Sequence, residues 1–252
     1  MDLHLEDRAV LVSGGSRGIG EATAIAFAKE RANVAITYNT GEAAAGSVVR
    51  EITAAGGDGF AVAMDLAQPA SASETVERTV ERFGSLDVLV ANAVRWPTDV
   101  MAPLAEADPD AWRGAVEANL AGTVSLIRAA LPHLQASSAG RVVLISSGVS
   151  RDGRTGATAY ATAKAALDGL VAALKWEAGA HGVLVNIVSP GFTLTENNLA
   201  RFPDELRESV RQRTPTGRLS IPEDIARAVV FLGSPANSNI TGSYVPVAGG
   251  IN

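Results

Sequence analysis

Tyr160 and Lys164 stand four residues apart in the run Tyr160-Ala161-Thr162-Ala163-Lys164, inside a stretch whose spacing predicts a helix over 158–180. On a helix that spacing puts both side chains on one face, an ammonium close to a phenol. A phenol with an ordinary pKa of about 10 is a poor acid–base catalyst near neutrality, and a neighbouring cation stabilises its phenolate. Lys164 is therefore expected to lower the pKa of Tyr160. A second constellation, Ser13-Gly14-Gly15-Ser16-Arg17-Gly18-Ile19-Gly20, follows an apolar run and opens a helical one. Glycines there let the chain turn tightly and approach a pyrophosphate, while the helix N-terminus offers unpaired N–H groups and the positive end of its dipole. The spacing is G-x-x-x-G-x-G, which suits a plain tight turn as well as a nucleotide cradle. Its position between a first strand and a first helix favours the nucleotide.

The same turn contains Gly14, Ser16 and Gly18 in the pattern G-x-S-x-G, the nucleophile elbow of hydrolases. That chemistry needs an oxyanion loop upstream and an acid followed by His downstream. Few residues precede Ser16, and His133 and His181 lie away from the ends of the expected strands, so a hydrolase is disfavoured. The type of nucleotide is readable where the second strand ends, at Tyr38-Asn39-Thr40. An acid there would bind the ribose 2′-hydroxyl of NAD and repel the 2′-phosphate of NADP. None is present, and Arg17 offers a phosphate a bidentate, charge-assisted contact. NADP(H) is the expected cofactor.

The elements that must position these residues are legible as a rhythm. Short apolar runs without polar alternation recur at 9–13, 33–38, 59–64, 86–91, 141–146, 183–188 and 243–247. They suit strands buried on both faces. Between them lie helical patterns at 18–30, 41–55, 70–83, 108–135, 158–180 and 221–233. Parallel crossovers need about a dozen residues, usually as a helix, so the series predicts one α/β domain over 1–252: a Rossmann-like, doubly wound parallel sheet of seven strands with helices on both faces. The polar stretch at about 192–220 breaks the rhythm and is expected to form a substrate lid.

Composition narrows the function. The chain has 252 residues, 47% hydrophobic and 19% charged, the balance of a globular protein with ample core. It has no cysteine, which removes disulfides and thiolate chemistry. Its three histidines are scattered, so no metal site is expected. A net charge of −6 opposes nucleic acid and anionic membranes as partners. No run approaches about eighteen apolar residues, and a cytoplasmic location is expected.

Taken together, the glycine turn, Ser147 thirteen residues before Tyr160, and the Tyr160/Lys164 pair resemble the short-chain dehydrogenase/reductase family. The similarity runs nearly end to end, through Ala91-Asn92-Ala93, Asn119, Val185-Asn186, Pro190-Gly191, Thr195, Thr241-Gly242 and Gly249-Gly250. Its nearest branches are bacterial 3-oxoacyl-carrier-protein reductases and polyketide-tailoring ketoreductases. The resemblance implies that Tyr160 is the general acid, Ser147 (rather than its neighbours Ser146 and Ser150) holds the carbonyl oxygen, Lys164 also binds the nicotinamide ribose, and Asn119 supports a proton-returning water chain. It implies cofactor contacts at Gly14, Ser16, Arg17, Gly18, Ile19, Gly20, Tyr38, Asn39, Thr40, Asp65, Leu66, Asn92, Ala93, Tyr160, Lys164, Pro190, Gly191, Thr193 and Thr195. Substrate contacts fall on Val94, Arg95, Trp96, Val149 and Phe192. A homotetramer through the segments 108–135 and 158–180 and the C-terminus is also implied.

Three positions depart from the family pattern: Val94 stands for a usual Gly, Ser13 for Thr and Ala248 for Asp. The two basic positions that dock an acidic carrier are also missing, with Gln135-Ala136-Ser137-Ser138-Ala139 and His181 in their places. Arg128 and Arg151 leave a shifted docking surface open. Weak steering of an acidic partner favours a small diffusible ketone. The flat faces of Trp96 and Phe192 suit an aromatic or polycyclic, polyketide-type ring system. The expected function is thus an NADPH-dependent ketoreductase, with 3-oxoacyl-carrier-protein reduction and a non-catalytic NADPH-binding regulator as alternatives.

Overall fold

The computed structural model describes residues 1–95 and 102–251. Seven strands, β1 (Ala9–Val12), β2 (Asn33–Tyr38), β3 (Gly59–Ala63), β4 (Val88–Ala91), β5 (Arg141–Ile145), β6 (Leu184–Pro190) and β7 (Tyr244–Val247), form one parallel sheet in the order β3-β2-β1-β4-β5-β6-β7. Each lies within two residues of the run that predicted it. The alternation of side chains along β1 divides the core. Val10 and Val12 pack with Phe27 of α1 (Gly18–Lys29), Val48 and Ile52 of α2 (Glu42–Ala54) and Val229 of the helix over Pro222–Leu232. Leu11 faces the other way, toward Val76 on α3 (Pro69–Phe83), and toward residues of the two long segments 109–136 and 158–179. Both faces of β1, β4 and β5 are therefore fully buried, which is why these strands read as apolar runs without alternation.

The segment expected as one helix over 108–135 is interrupted. It comprises α4 (Pro109–Val116), a π-turn over Glu117–Ala121, and α5 (Gly122–Ala136). The extra residue of a π-turn re-aims a side chain, and such turns are frequent at functional sites. Here the residue is Asn119. A short helix α6 (Val149–Asp152), unforeseen in the sequence, precedes α7 (Thr158–Gly179). The polar stretch at 192–220 contains α8 (Glu196–Arg201) and α9 (Asp204–Arg213), and α10 (Pro222–Leu232) follows.

β1 has β2 on one side and β4 on the other, so the connections leaving the two central strands run in opposite directions. A crevice opens beyond their carboxyl ends, at the point where ligands bind in open parallel sheets. Ser13 and Asn92 clamp its two edges together. The buried Ser13 hydroxyl donates to Val90 O (3.2 Å) and accepts from the N–H groups of Asn92 and Ala93 (3.0 Å each). The Asn92 amide donates back to Ser13 O (2.9 Å) and Gly14 O (3.1 Å). Serine thus retains the hydrogen bonding that a hydroxyl at this position supplies. Ser13→Ala strands two backbone donors and is expected to cost about 2–3 kcal/mol. A urea titration checks this, and an unchanged midpoint would refute the clamp.

Candidate active site

The crevice at the switch point widens into a cleft of about 900 Å³. The glycine turn forms one wall. Gly14 has φ +66°, and a Cβ there would lie 2.9 Å from Ala93 Cα. A Cβ on Gly20 would lie 2.2 Å from Gly14 O. These two glycines let the first turn of α1 close onto β1 and β4, leaving the helix end open to the cleft. Arg17 precedes α1 with extended backbone and makes no side-chain cap. Its exposed guanidinium is not committed to the helix end. This geometry fits a dinucleotide: a tight glycine turn, a helix N-terminus and a free cation on one wall.

The floor brings the three residues expected to react together. Ser147 follows β5, and its hydroxyl accepts from Val149 N–H (3.3 Å) and shares a hydrogen bond with Tyr160. Tyr160 lies in the first turn of α7, with Lys164 one turn on; the Lys164 Nζ is 5.9 Å from the Tyr160 ring centroid. Lys164 is buried, and its ammonium donates to Ile145 O at the end of β5 (2.7 Å). Ser146 turns instead to Lys164 O (3.3 Å), and the Ser150 hydroxyl is buried away from any partner among the described residues. Of the three serines, Ser147 is the one that meets Tyr160.

The proton balance differs from the sequence expectation. Burial raises the Tyr160 pKa, opposed by the Ser147 hydrogen bond. Burial also pushes Lys164 down to about 8. The physical reason is that a low-dielectric site disfavours both charged forms. Tyr160 is consequently held as the phenol at neutral pH, the form that donates a proton.

Most of the expected cofactor positions line this cleft: Gly14, Ser16 to Gly20, Tyr38, Asn39, Asp65, Leu66, Asn92, Ala93, Pro190, Gly191, Thr193 and Thr195. So do Val94, Arg95, Val149 and Phe192 on the side expected for substrate. Thr40 is exposed and stands off the cleft wall, and Trp96 lies outside the described residues. Asn119 is buried beneath the wall, where its side-chain oxygen accepts from Arg95 N–H (2.9 Å). Its amide donates to Arg95 O (2.9 Å) and Ala115 O (2.8 Å). The Asn119 side chain thereby holds the loop after β4.

Sequence reasoning passed over much of the far wall. Arg154, Phe202, Leu206, Val210, Arg213 and Ile251 all line it. Phe192 and Phe202 meet edge to face at 5.4 Å. The C-terminal wall is close because Gly191 packs on Ala248, where an added Cβ would meet the alanine Cβ at 2.7 Å. Among the described residues, no group of three or more His, Cys, Asp or Glu could hold a metal ion, and no helix is long and apolar enough to cross a membrane.

A parallel sheet with a dinucleotide-type crevice, and a serine–tyrosine–lysine set on its floor, defines a nucleotide-dependent oxidoreductase. The chain belongs to the short-chain dehydrogenase/reductase family: the family described as enoyl-(acyl carrier protein) reductase matches residues 14–252. It is 34% identical over 244 residues to the 3-oxoacyl-(acyl-carrier-protein) reductase FabG of Staphylococcus aureus, covering 97% of this chain and 98% of the relative. Among solved structures it resembles a 7α-hydroxysteroid dehydrogenase complexed with NADH and 7-oxo glycochenodeoxycholic acid (TM-score 0.92, 30% identity, 100% and 98% covered). It also resembles a short-chain dehydrogenase from Burkholderia cenocepacia J2315 in complex with NADP (TM-score 0.90, 34% identity, 98% and 99% covered).

Lys164 carries a measurable consequence. Its displacement from 10.5 to about 8 corresponds to ~3 kcal/mol of burial cost at neutral pH. The unfolded chain holds that proton up to about pH 10.5 while the folded chain releases it near 8. Stability from this group therefore rises with pH across that window. Lys164→Met removes the cost and strands Ile145 O, at roughly 1–3 kcal/mol. It is expected to keep parental stability at pH 7 to within about 2 kcal/mol while turnover falls at least ~10²-fold. Denaturant titrations at pH 7 and 9.5 should show the parent gaining on the variant as pH rises; a parallel response would count against a buried ammonium.

Proposed function

We propose that the chain is an NADPH-dependent ketoreductase acting on a small, diffusible, ring-bearing ketone of polyketide type. The observation that carries this is the Ser147–Tyr160 hydrogen bond with Lys164 one turn on, opening into the same cleft as the glycine turn. Bound NADPH supplies the hydride that reduces the carbonyl carbon. The chain's residues handle the oxygen and the proton. Ser147 and Tyr160 hold the carbonyl oxygen, Tyr160 donates its proton as negative charge grows there, and the Lys164 ammonium stabilises the phenolate left behind. Lys164 also binds the nicotinamide ribose, and Asn119 keeps the loop carrying Arg95 in place. The segment 192–220 serves as the lid of a single domain over 1–252.

Arg17 and the lack of an acid at Tyr38, Asn39 and Thr40 support NADPH over NADH. Solved relatives include complexes with each form. A ring-bearing substrate is supported by the Phe192/Phe202 pair, and one similar structure holds an oxo-steroid acid. The Staphylococcus aureus relative supports the rival reading, reduction of a carrier-bound 3-oxoacyl chain.

Initial rates with a panel of ketones decide among these readings. Bicyclic and larger ketones are expected to exceed acetoacetyl thioester on carrier protein in kcat/KM. NADPH is expected to exceed NADH by about 10–100-fold, with Arg17→Ala bringing the two toward parity. Preference for the carrier thioester, or for NADH, would overturn the corresponding part. Tight NADPH binding without turnover of any ketone would favour a regulator.

A cytoplasmic homotetramer completes the proposal. Trp176 on α7 is 76% exposed and Val124 on α5 is 38% exposed, apolar surface on the two long helical segments that suits a partner subunit. Light scattering at micromolar concentration is expected to give the tetramer mass, and a monomer would refute it.

A further inference from the structure

The far lobe of the cleft carries charge that the hydride-transfer chemistry does not use. Among the described residues, six of the nine charged side chains around the cleft are cationic, in a chain whose net charge is −6. Arg17 belongs to the glycine-turn wall and Lys164 to the floor. Asp65 follows β3 on the cofactor side. Glu196 also stands near that side: it follows Thr195, whose Cγ2 would lie 3.3 Å from a Cβ on Gly18, and its charge reaches Glu21 of α1. The remaining charged residues of the lining are Arg95, Arg154, Arg201, Arg213 and Asp152.

The placement of Arg154 and Arg213 is specific. α9 turns Leu206, Val210 and Arg213 to the cleft, at the spacing of one helical face, while its acids Asp204, Glu205 and Glu208 stay off the cleft wall. The helix therefore presents an apolar stripe ending in a guanidinium. Across the lobe, the Arg154 guanidinium stacks on the Phe202 ring at 4.9 Å, and Phe202 meets Phe192 edge on. Arg213 Nε donates to Ser209 O of its own helix (3.3 Å). Neither arginine makes an ion pair among the described residues, whereas Arg207 and Arg211 of the same lid pair with Asp204 and Glu208. Arg154 and Arg213 are thus exposed guanidinia bordering the cleft without an ion pair among the described residues.

We propose that the substrate of this cleft is a keto acid: a ring-bearing ketone whose carboxylate is received by Arg154 and Arg213 while its ring lies against Phe192 and Phe202. This rests on the ketoreductase reading and names the chemical class of its substrate. A planar guanidinium matches a carboxylate two-pronged, and because both arginines are exposed at the cleft the attraction is open to screening by salt. A ketone with no anion leaves both forks facing water and gains nothing from them.

Matched probes test this on the intact protein with NADPH. The kcat/KM for 4-acetylbenzoate and 6-acetyl-2-naphthoate is expected to exceed that of the corresponding primary amides by about tenfold or more, the yield of one charge-assisted contact. The ratio should shrink as salt is raised. In the Arg154→Gln/Arg213→Gln double variant the ratio should fall toward one, chiefly through KM. Equal or better turnover of the amides by the parent, or an undiminished ratio in the double variant, would overturn the proposal. Calorimetry of 2-naphthoate against 2-naphthamide, with NADP⁺ bound, reads the same site without turnover. Preferential naphthoate binding that the double variant loses supports the anion site even if no ketone is reduced, an outcome that would sink the ketoreductase reading alone. Equal binding of the two overturns the anion site whatever the kinetics.

Discussion

A buried ammonium is among the least tolerable groups in a protein interior, and this fold is arranged so that one sits at the end of its central sheet. Lys164 reaches Ile145 O at 2.7 Å with its side chain buried. A single carbonyl does not replace a hydration shell, so burial still drives the lysine down to about 8. That position is sustained by packing. Leu167, Val171 and Leu174, on the next turns of α7, lock the helix onto the face of the sheet that carries Leu11 and Leu144. The helix cannot shift to hydrate the lysine without surrendering that apolar contact. The same constraint holds Tyr160 against Ser147, because the phenol occupies the turn immediately before Lys164.

The opposite wall depends on backbone closeness rather than on charge. Gly14, Gly20, Ser13 and Asn92 draw the ends of β1 and β4 together so tightly that a methyl group at Gly20 has no room. Asn119 does the equivalent work further along the loop after β4, pairing with both backbone groups of Arg95 from the π-turn. These contacts engage the side chains of two residues expected at the site. Asn92 and Asn119 satisfy carbonyls and N–H groups that the crevice leaves without strand partners, as buried backbone polar groups require. What faces the cleft is therefore largely backbone, glycine and hydroxyl on the cofactor side, and aromatic and guanidinium groups on the lid side.

Legibility followed the range of the interaction. The seven strands and six long helical segments were readable because each is dictated by local periodicity, and the buried parallel strands left an unbroken apolar signature. The glycine turn and the Tyr160/Lys164 pair were readable for the same reason, since each is a short-range pattern within one element or one turn. Arg154, Phe202 and Arg213 were not. They lie on a polar stretch and on the loop before α7, where nothing in the local sequence distinguishes an inward arginine from a solvated one. Thr40 is the opposite case: adjacent to Tyr38 and Asn39 in sequence, it stands exposed off the cleft wall where the chain bends after β2. The π-turn at Asn119 was hidden because its one extra residue barely disturbs a helical pattern.

From its residues alone this chain determined a parallel α/β architecture, a nucleotide-binding turn and a phenol paired with an ammonium, because all three are written in spacings of two to seven residues. The tertiary structure decided the protonation balance, since burial is a property of what packs around a group and not of its neighbours in sequence. It also decided which arginines of the lid border the cleft. That depends on which side of α9 meets the body of the protein, and only the assembled sheet supplies the surface against which the choice is made.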